Sequence, residues 1–347
     1  MIRLGVIGLG KWGWVLSNAA KASPNLRICK GFSRSVETRQ AFAKSFDVQC
    51  PADVNDILDD PRIDGVILAL PNELHLEFAV RCIKAGKPVF IEKPVTHTLA
   101  EAIELKRIAD QYHARVFVGH CAKLLNGVQQ MKKVLESGSL GELCLLEGRF
   151  CNERGLQLTP KDWRFYQEKA PGGPLSQIAI HQFDVLRYLG GPVAEVSAMS
   201  AKRSPVGAEV EDQWNIQLKF MNGALGVVTT SWTSPGLFEV RFIGTKGLIH
   251  YQIDQTKWGQ AALLHEGASL RMQFSGGLPN SIESLPVEAS DMFLDELEQF
   301  VLLIKGQPQP HFDLNYATDI LSIVESAKLS DQKLGLRVDP RGIVASY

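Results

Sequence analysis

Gly8-Leu9-Gly10-Lys11-Trp12-Gly13 is the first stretch whose spacing could do chemistry. It follows residues 1–7, an apolar run that reads as a short buried strand, and leads into residues 14–20, which read as a helix. Between a strand and a helix, G-x-G-x-x-G points to dinucleotide binding. Gly8 permits the tight turn, Gly10 lets backbone approach a pyrophosphate, and Gly13 lets the helix pack close to the strand. The helix would turn its first N–H groups and its positive dipole end toward the phosphates. Glycines also mark ordinary strand–helix turns; the flanking pattern is what favours a ligand. About 20 residues beyond Gly13, where an acidic residue would bind the adenosine ribose of NAD, the chain has Ser33-Arg34. A hydroxyl and a permanently charged planar guanidinium suit a 2′-phosphate, so NADP(H) is expected over NAD(H), which stays open. An exposed turn arginine would look the same in sequence.

Two further groups carry proton chemistry. In Glu92-Lys93-Pro94 a lysine follows a buried strand directly. Its ammonium could hold a substrate hydroxyl and stabilise a developing alkoxide. Partial desolvation would lower its pKa and allow proton exchange. A surface lysine held by Glu92 fits the spacing equally well. Gly172-Gly173-Pro174 opens an expected helix over residues 175–189, on which Gln177, His181 and Asp184 stand at i, i+4 and i+7, on one face. His181 could serve as a general base near neutrality, with Asp184 orienting it or holding substrate. A lone helical histidine is more often structural, and His75, His97, His250 and His265 are left in that class by spacing alone.

The elements that must position these groups alternate in the first third of the chain. Strands over residues 1–7, 26–32, 64–70, 88–91 and 115–118 are separated by helices over 37–43, 53–58, 73–85 and 99–112. The third strand ends at Leu70-Pro71-Asn72. In the helix that follows, Leu74, Phe78 and Cys82 form the expected apolar stripe. Such alternation predicts a parallel sheet with right-handed crossovers and a ligand crevice at the strands' C-terminal ends, where Gly8, Ser33, Pro71, Glu92 and Gly119 all fall. A linking helix over 128–135 follows. Strand-like runs at 143–151, 193–201, 214–220, 225–232, 237–243 and 248–253 then imply a large, mostly antiparallel sheet. Helices over 292–304 and 316–329 close the chain. The expected architecture is an α/β Rossmann dinucleotide-binding domain over 1–121, then an α+β substrate and oligomerisation domain with an open sheet over 122–347.

Composition narrows the field. At 347 residues two domains are the natural expectation, and 45% hydrophobic with 22% charged residues is ordinary for a globular chain. A formal net charge of −1 argues against broad nucleic-acid or acidic-membrane binding. No run approaches 18 apolar residues, and residues 1–7 read as strand instead of signal segment, so a cytoplasmic protein is expected. The six cysteines are scattered without a C-x-x-C pair, which predicts buried thiols and neither a disulfide frame nor a metal site.

Taken in order, these pieces resemble the Gfo/Idh/MocA family of NAD(P)-dependent oxidoreductases over nearly the whole chain. The carrying residues are the Gly8–Gly13 turn, Pro71-Asn72 with His75, Glu92-Lys93-Pro94, Trp163-Arg164, His181 with Asp184, and Gly244-Thr245-Lys246-Gly247. The resemblance implies hydride transfer between nicotinamide and a carbinol or keto carbon of a sugar, polyol or sugar derivative, in a site between the two domains. It implies Lys93 and His181 as catalytic residues, with Lys93 touching both substrate and the nicotinamide ribose. Lys123, Gln177 and Asp184 are implied at the substrate. Lys11, Trp12, Leu70, Pro71, Asn72, His75, Glu92 and Arg164 are implied at the cofactor, Arg164 near the nicotinamide end. A homodimer or homotetramer through the large sheet is implied as well. Gln177 departs from the aspartate common at that position, and an amide can neither relay a proton nor raise the basicity of His181 by charge. That departure keeps open a non-catalytic NAD(P)-binding regulator. A branch of the family that hydrolyses glycosides with bound NAD is the other alternative.

Overall fold

The computed structural model describes residues 1–276 and 282–347, and its contacts divide the chain into two compact units. One comprises Met1–Cys121 with Asp291–Thr318; the other comprises Ala122–Ser290 with Asp319–Tyr347.

The first unit is built on parallel strands β1 (Ile2–Ile7), β2 (Leu26–Phe32), β3 (Gly65–Leu68), β4 (Val89–Glu92) and β5 (Val116–Gly119) in the order β2-β1-β3-β4-β5. β3, β4 and β5 are buried at every residue, as a sheet covered on both faces requires. The crossovers carry α1 (Lys11–Ala20), α2 (Val36–Phe46), α3 (Asn55–Leu58), α4 (His75–Lys84) and α5 (Leu99–Gln111). Ser35 caps α2 through Thr38 N, and Thr98 with Glu101 forms a capping box on α5. From β1 the chain runs to β2 on one side and to β3 on the other, so the topological switch point lies between β1 and β3. In an open α/β sheet that is where the ligand crevice forms.

Two expectations change here. The apolar stripe on α4 is not Leu74, Phe78 and Cys82: the buried positions are His75, Ala79, Cys82 and Ile83, and the half-buried Phe78 ring lies under the Arg81 guanidinium. The helix is rotated because His75, polar in sequence, finds two carbonyl partners inside. The expected second domain also loses a segment, because α8 (Met292–Ile304) and the first turn of α9 (Leu314–Gln332) belong to the first unit. Phe300 of α8 meets Phe90 and Phe117, and Phe312 stacks on Phe117.

The second unit carries β6 (Leu143–Cys151), β7 (Val193–Ala201), β8 (Gln213–Phe220), β9 (Leu225–Ser231), β10 (Leu237–Gly244), β11 (Gly247–Ile253), β12 (Ser269–Phe274) and β13 (Ile282–Leu285). Their order is β13-β12-β11-β10-β6-β9-β8-β7, antiparallel except where β6 lies parallel to β9. Alternation gives the sheet two different faces. Leu146, Phe150, Ile216, Val228, Phe238, Val240, Ile249 and Tyr251 point inward and are buried. α6 (Asn126–Glu136) and α7 (Ile180–Gly190) lie on that face. A Cβ at Gly148 would stand 2.6 Å from Gln182 Oε1, so glycine on β6 is what lets α7 sit this close. α10 (Pro340–Ala345) ends the chain, its first N–H groups capped by Asp339. Among the described residues no helix is long and apolar enough to cross a membrane.

Candidate active site

The dinucleotide cradle is set by three glycines with different jobs. Gly8 has φ +100°, and a Cβ there would lie 2.3 Å from Ala69 O at the end of β3. At Gly13 a Cβ would fall 2.1 Å from Gly8 O, so the first turn of α1 rests directly on the exit of β1. Gly10 is different: a Cβ there would meet no protein atom within 4 Å. Packing does not require glycine at that point, whereas a pyrophosphate laid against the helix start does. Gly10 is also the N-cap and offers no capping side chain, and the first turn of α1 holds no acidic residue, so nothing negative competes with a phosphate there. These residues fit a dinucleotide. Lys11 lies near the Trp12 ring, and Trp12 packs on Phe293 of α8 within the same unit.

At the end of β2, Arg34 is exposed and forms no ion pair among the described residues. Sequence reasoning missed Arg39 of α2, whose Nη1 donates to Ser33 O at 2.7 Å and Arg34 O at 3.2 Å. It fixes the turn and brings a second guanidinium to it. One turn of α2 separates it from Ser35, a spacing the sequence shows but without a motif to mark it.

The ends of β3 and β4 are tied together by His75. Its ring is fully buried, with Nδ1 2.8 Å from Pro94 O and Nε2 3.0 Å from Leu70 O. Burial holds its pKa below the usual histidine value, against the pull of the carbonyls. Both ring nitrogens are thus engaged by backbone carbonyls. It aligns Leu70-Pro71-Asn72 with the segment after Lys93, whose peptide bond to Pro94 is cis. Asn72 is buried and Pro71 exposed at that edge. Glu92 is buried, and its carboxylate accepts from Lys93 N at 3.2 Å. Burial pushes the Glu92 pKa up, while the Lys93 charge works in the other direction. Lys93 itself is half-buried at the strand end.

In the second unit, Trp214 Nε1 anchors the loop before α7 by donating to Gly172 O at 2.9 Å. The chain then makes a π-helical turn, Leu175–Ala179, before α7 begins. The expected single α-helix is thus widened at its start, and Gln177 departs from regular α spacing relative to His181. Such turns are often found at functional sites. Gln177, His181 and Asp184 are all buried. The His181 ring lies on an aromatic shelf, 5.9 Å from Phe150 and 5.0 Å from Trp258 between centroids. Phe150 was legible as part of a strand. Trp258 was not, because it follows an irregular turn, Gln255–Lys257.

Lys123 Nζ stands 2.8 Å from Asp184 Oδ1, with side chains 1% and 0% exposed. The two are partners within the second unit. Removing one would strand a buried charge, typically at about 3–5 kcal/mol. The pair braces α7 and, with it, His181. Arg164 belongs to the second unit, stacked 4.0 Å over Trp163, and burial lowers its pKa to about 10, with the nearby Arg154 acting in the same direction. No group of three or more His, Cys, Asp or Glu side chains that could hold a metal is found among the described residues.

A parallel sheet with a glycine cradle at its switch point, followed by a second unit bearing one large sheet, defines a two-domain dinucleotide-binding fold. Residues 2–120 match the oxidoreductase family with the NAD-binding Rossmann fold, and residues 128–250 match the GFO/IDH/MocA C-terminal domain. The chain belongs to the Gfo/Idh/MocA family of oxidoreductases. It is 27% identical over 248 residues to levoglucosan dehydrogenase of Pseudarthrobacter phenanthrenivorans, a match spanning 63% of each chain. It is 25% identical to myo-inositol 2-dehydrogenase of Thermotoga maritima, over 88% of this chain and 90% of that one. A solved structure from Desulfitobacterium hafniense, provisionally described as an NADPH-dependent oxidoreductase, superposes with a TM-score of 0.95 at 27% identity, covering 99% of both chains.

Proposed function

We propose that this protein oxidises a carbinol, or reduces the corresponding keto group, on a sugar- or polyol-like substrate, using NADP(H) in preference to NAD(H). The observation that carries the reading is the presence of Lys93 and His181, each in a built setting, in a chain with a complete dinucleotide cradle. Relatives named for levoglucosan and myo-inositol support the substrate class. Exposed Arg34 beside Ser33, with Arg39 behind the turn, supports the coenzyme preference.

Bound nicotinamide would supply the hydride acceptor or donor. The protein's share is positioning and proton handling. The Lys93 ammonium donates to the reacting oxygen and stabilises negative charge that grows there. His181 takes the carbinol proton or returns it. Its ring is oriented by Phe150 and Trp258, and its helix is held by Lys123–Asp184. Neutral Gln177 does not raise the basicity of His181, which favours a regulator without turnover as the rival reading.

Lys93→Met separates the two readings. Absorbance of the reduced nicotinamide should change with at least one member of a sugar and polyol panel in the wild type. That change should fall by a factor of 100 or more in the variant, roughly 2.7 kcal/mol or more at the barrier. Coenzyme affinity should stay within about threefold, since the phosphates are held by the cradle. No turnover in the wild type across the panel would favour the regulator.

We also propose that two copies pair through the outer face of the large sheet. Leu145 and Leu225, opposite each other on β6 and β9, are 44% and 53% exposed, and Met199 on the same face is 73% exposed.

A further inference from the structure

We infer that the substrate extends beyond a single ring, and that a second, neutral sugar unit binds in a polar pocket of the second unit. This rests on the sugar-directed reading above and deepens it.

The pocket is an open groove of about 350 Å³ lined by Asn152, Glu153, Arg154, Gln157, Gln255 and Thr256, with Asp162 and a single apolar side chain, Leu158. Its volume falls within the roughly 300–1,000 Å³ of small-molecule sites. Two of its segments run on along the chain from the rings beside His181. Phe150, which meets the His181 ring, stands two residues before Asn152 at the end of β6. Trp258, the other ring on the shelf, closes the turn that carries Gln255 and Thr256.

Their chemistry selects the occupant. The carboxylates of Glu153 and Asp162 are balanced by the guanidiniums of Arg154 and of Arg164 beside it, so the lining carries no net charge to draw an ion, and one leucine offers little to an apolar group. Part of the lining is already committed within the chain. Asp162 accepts from Thr159 N and Oγ1, Asn152 Oδ1 accepts from Arg154 N, and the Thr256 hydroxyl donates to Asp254. Gln157, Gln255, Glu153 and the Arg154 guanidinium form no side-chain hydrogen bond or ion pair among the described residues. Two amides, a carboxylate and a planar fork make a mixed donor and acceptor set. Adjacent hydroxyls of a neutral sugar match such a set.

The test compares glucose and galactose with cellobiose, lactose and maltose, using the full chain and NADP+. At least one disaccharide should exceed its monosaccharide in kcat/KM by about tenfold, equivalent to about 1.4 kcal/mol. In Gln157→Ala/Gln255→Ala that ratio should fall close to one. A wild-type ratio of one or less, or a ratio unchanged in the double variant, would overturn the inference. Calorimetric titration of the same sugars into the NADP+-loaded protein reads the pocket without turnover. Disaccharide binding lost in the double variant supports the subsite even if no sugar is oxidised, in which case only the catalytic reading fails. Glucose binding without any gain for a disaccharide refutes the subsite.

Discussion

Glu92 and Lys93 show why residue type and spacing alone could not separate function from an ordinary surface pair. In the fold Glu92 is buried at the end of β4 with its carboxylate facing the Lys93 amide, so the two are not an exposed surface pair. Its folded pKa lies above the unfolded value of 4.5. Neutral Glu92 therefore contributes stability that is complete below about pH 4.5 and is lost as pH rises through the raised folded value. Glu92→Gln should accordingly gain thermal stability over the wild type as pH rises from 5 to 8, with no gain at pH 4.5. Melting curves of the coenzyme-free protein at those pH values check this; a constant difference at all pH values would contradict it. His75, implied at the cofactor by resemblance, is buried with its ring between two carbonyls. A buried histidine and a ligand-binding one have the same letter, and only the contacts distinguish them.

Helix and strand periodicity conveyed most elements but not their finer geometry. The G-x-G-x-x-G turn was readable because strand, glycines and helix are contiguous, and the structure assigns each glycine its own constraint. Gly13→Ala forces a methyl onto Gly8 O and should cost about 1–3 kcal/mol of stability. Gly10→Ala meets open space and should cost no more than about 1 kcal/mol as an N-cap change. It should nonetheless weaken coenzyme binding at least tenfold. Paired melting curves and coenzyme titrations check both variants. If Gly10→Ala bound coenzyme normally, the cradle would be misassigned. The π turn at Leu175–Ala179 had no sequence signal, because nothing local in Leu-Ser-Gln-Ile-Ala forbids a regular helix. β12 and β13 were missed for related reasons. β12 has two inward residues, Leu270 and Met272, and β13 is an edge strand with no buried face.

For the whole molecule, what could not be read was which distant segments pack together. The apolar face of α8 was plain, but its membership of the first unit depends on β5, more than 170 residues earlier. The parallel β6–β9 pair has the same cause, since β6 is inserted between β10 and a strand far along the chain. The sheet's outer face mixes exposed Leu145, Met199 and Leu225 with cross-strand ion pairs such as Arg149–Glu239 and Arg241–Glu147. Exposed pairs of this kind add little stability, so the face is better suited to recognition than to holding the unit together. Leu225→Arg should shift the protein toward monomer in light scattering at micromolar concentration, with a melting temperature close to wild type. A wild type that is monomeric at high concentration would refute the pairing.

Coenzyme binding is the claim beneath all of these, and fluorescence titration of the purified chain with NADPH and NADH tests it most directly. Both should quench tryptophan emission, with NADPH the tighter ligand. In Arg34→Ala, NADPH should lose about 1–3 kcal/mol more than NADH, the value of a charge-assisted contact. Equal losses would remove the NADP preference, and saturable binding of neither coenzyme by the wild type would contradict the account at its root.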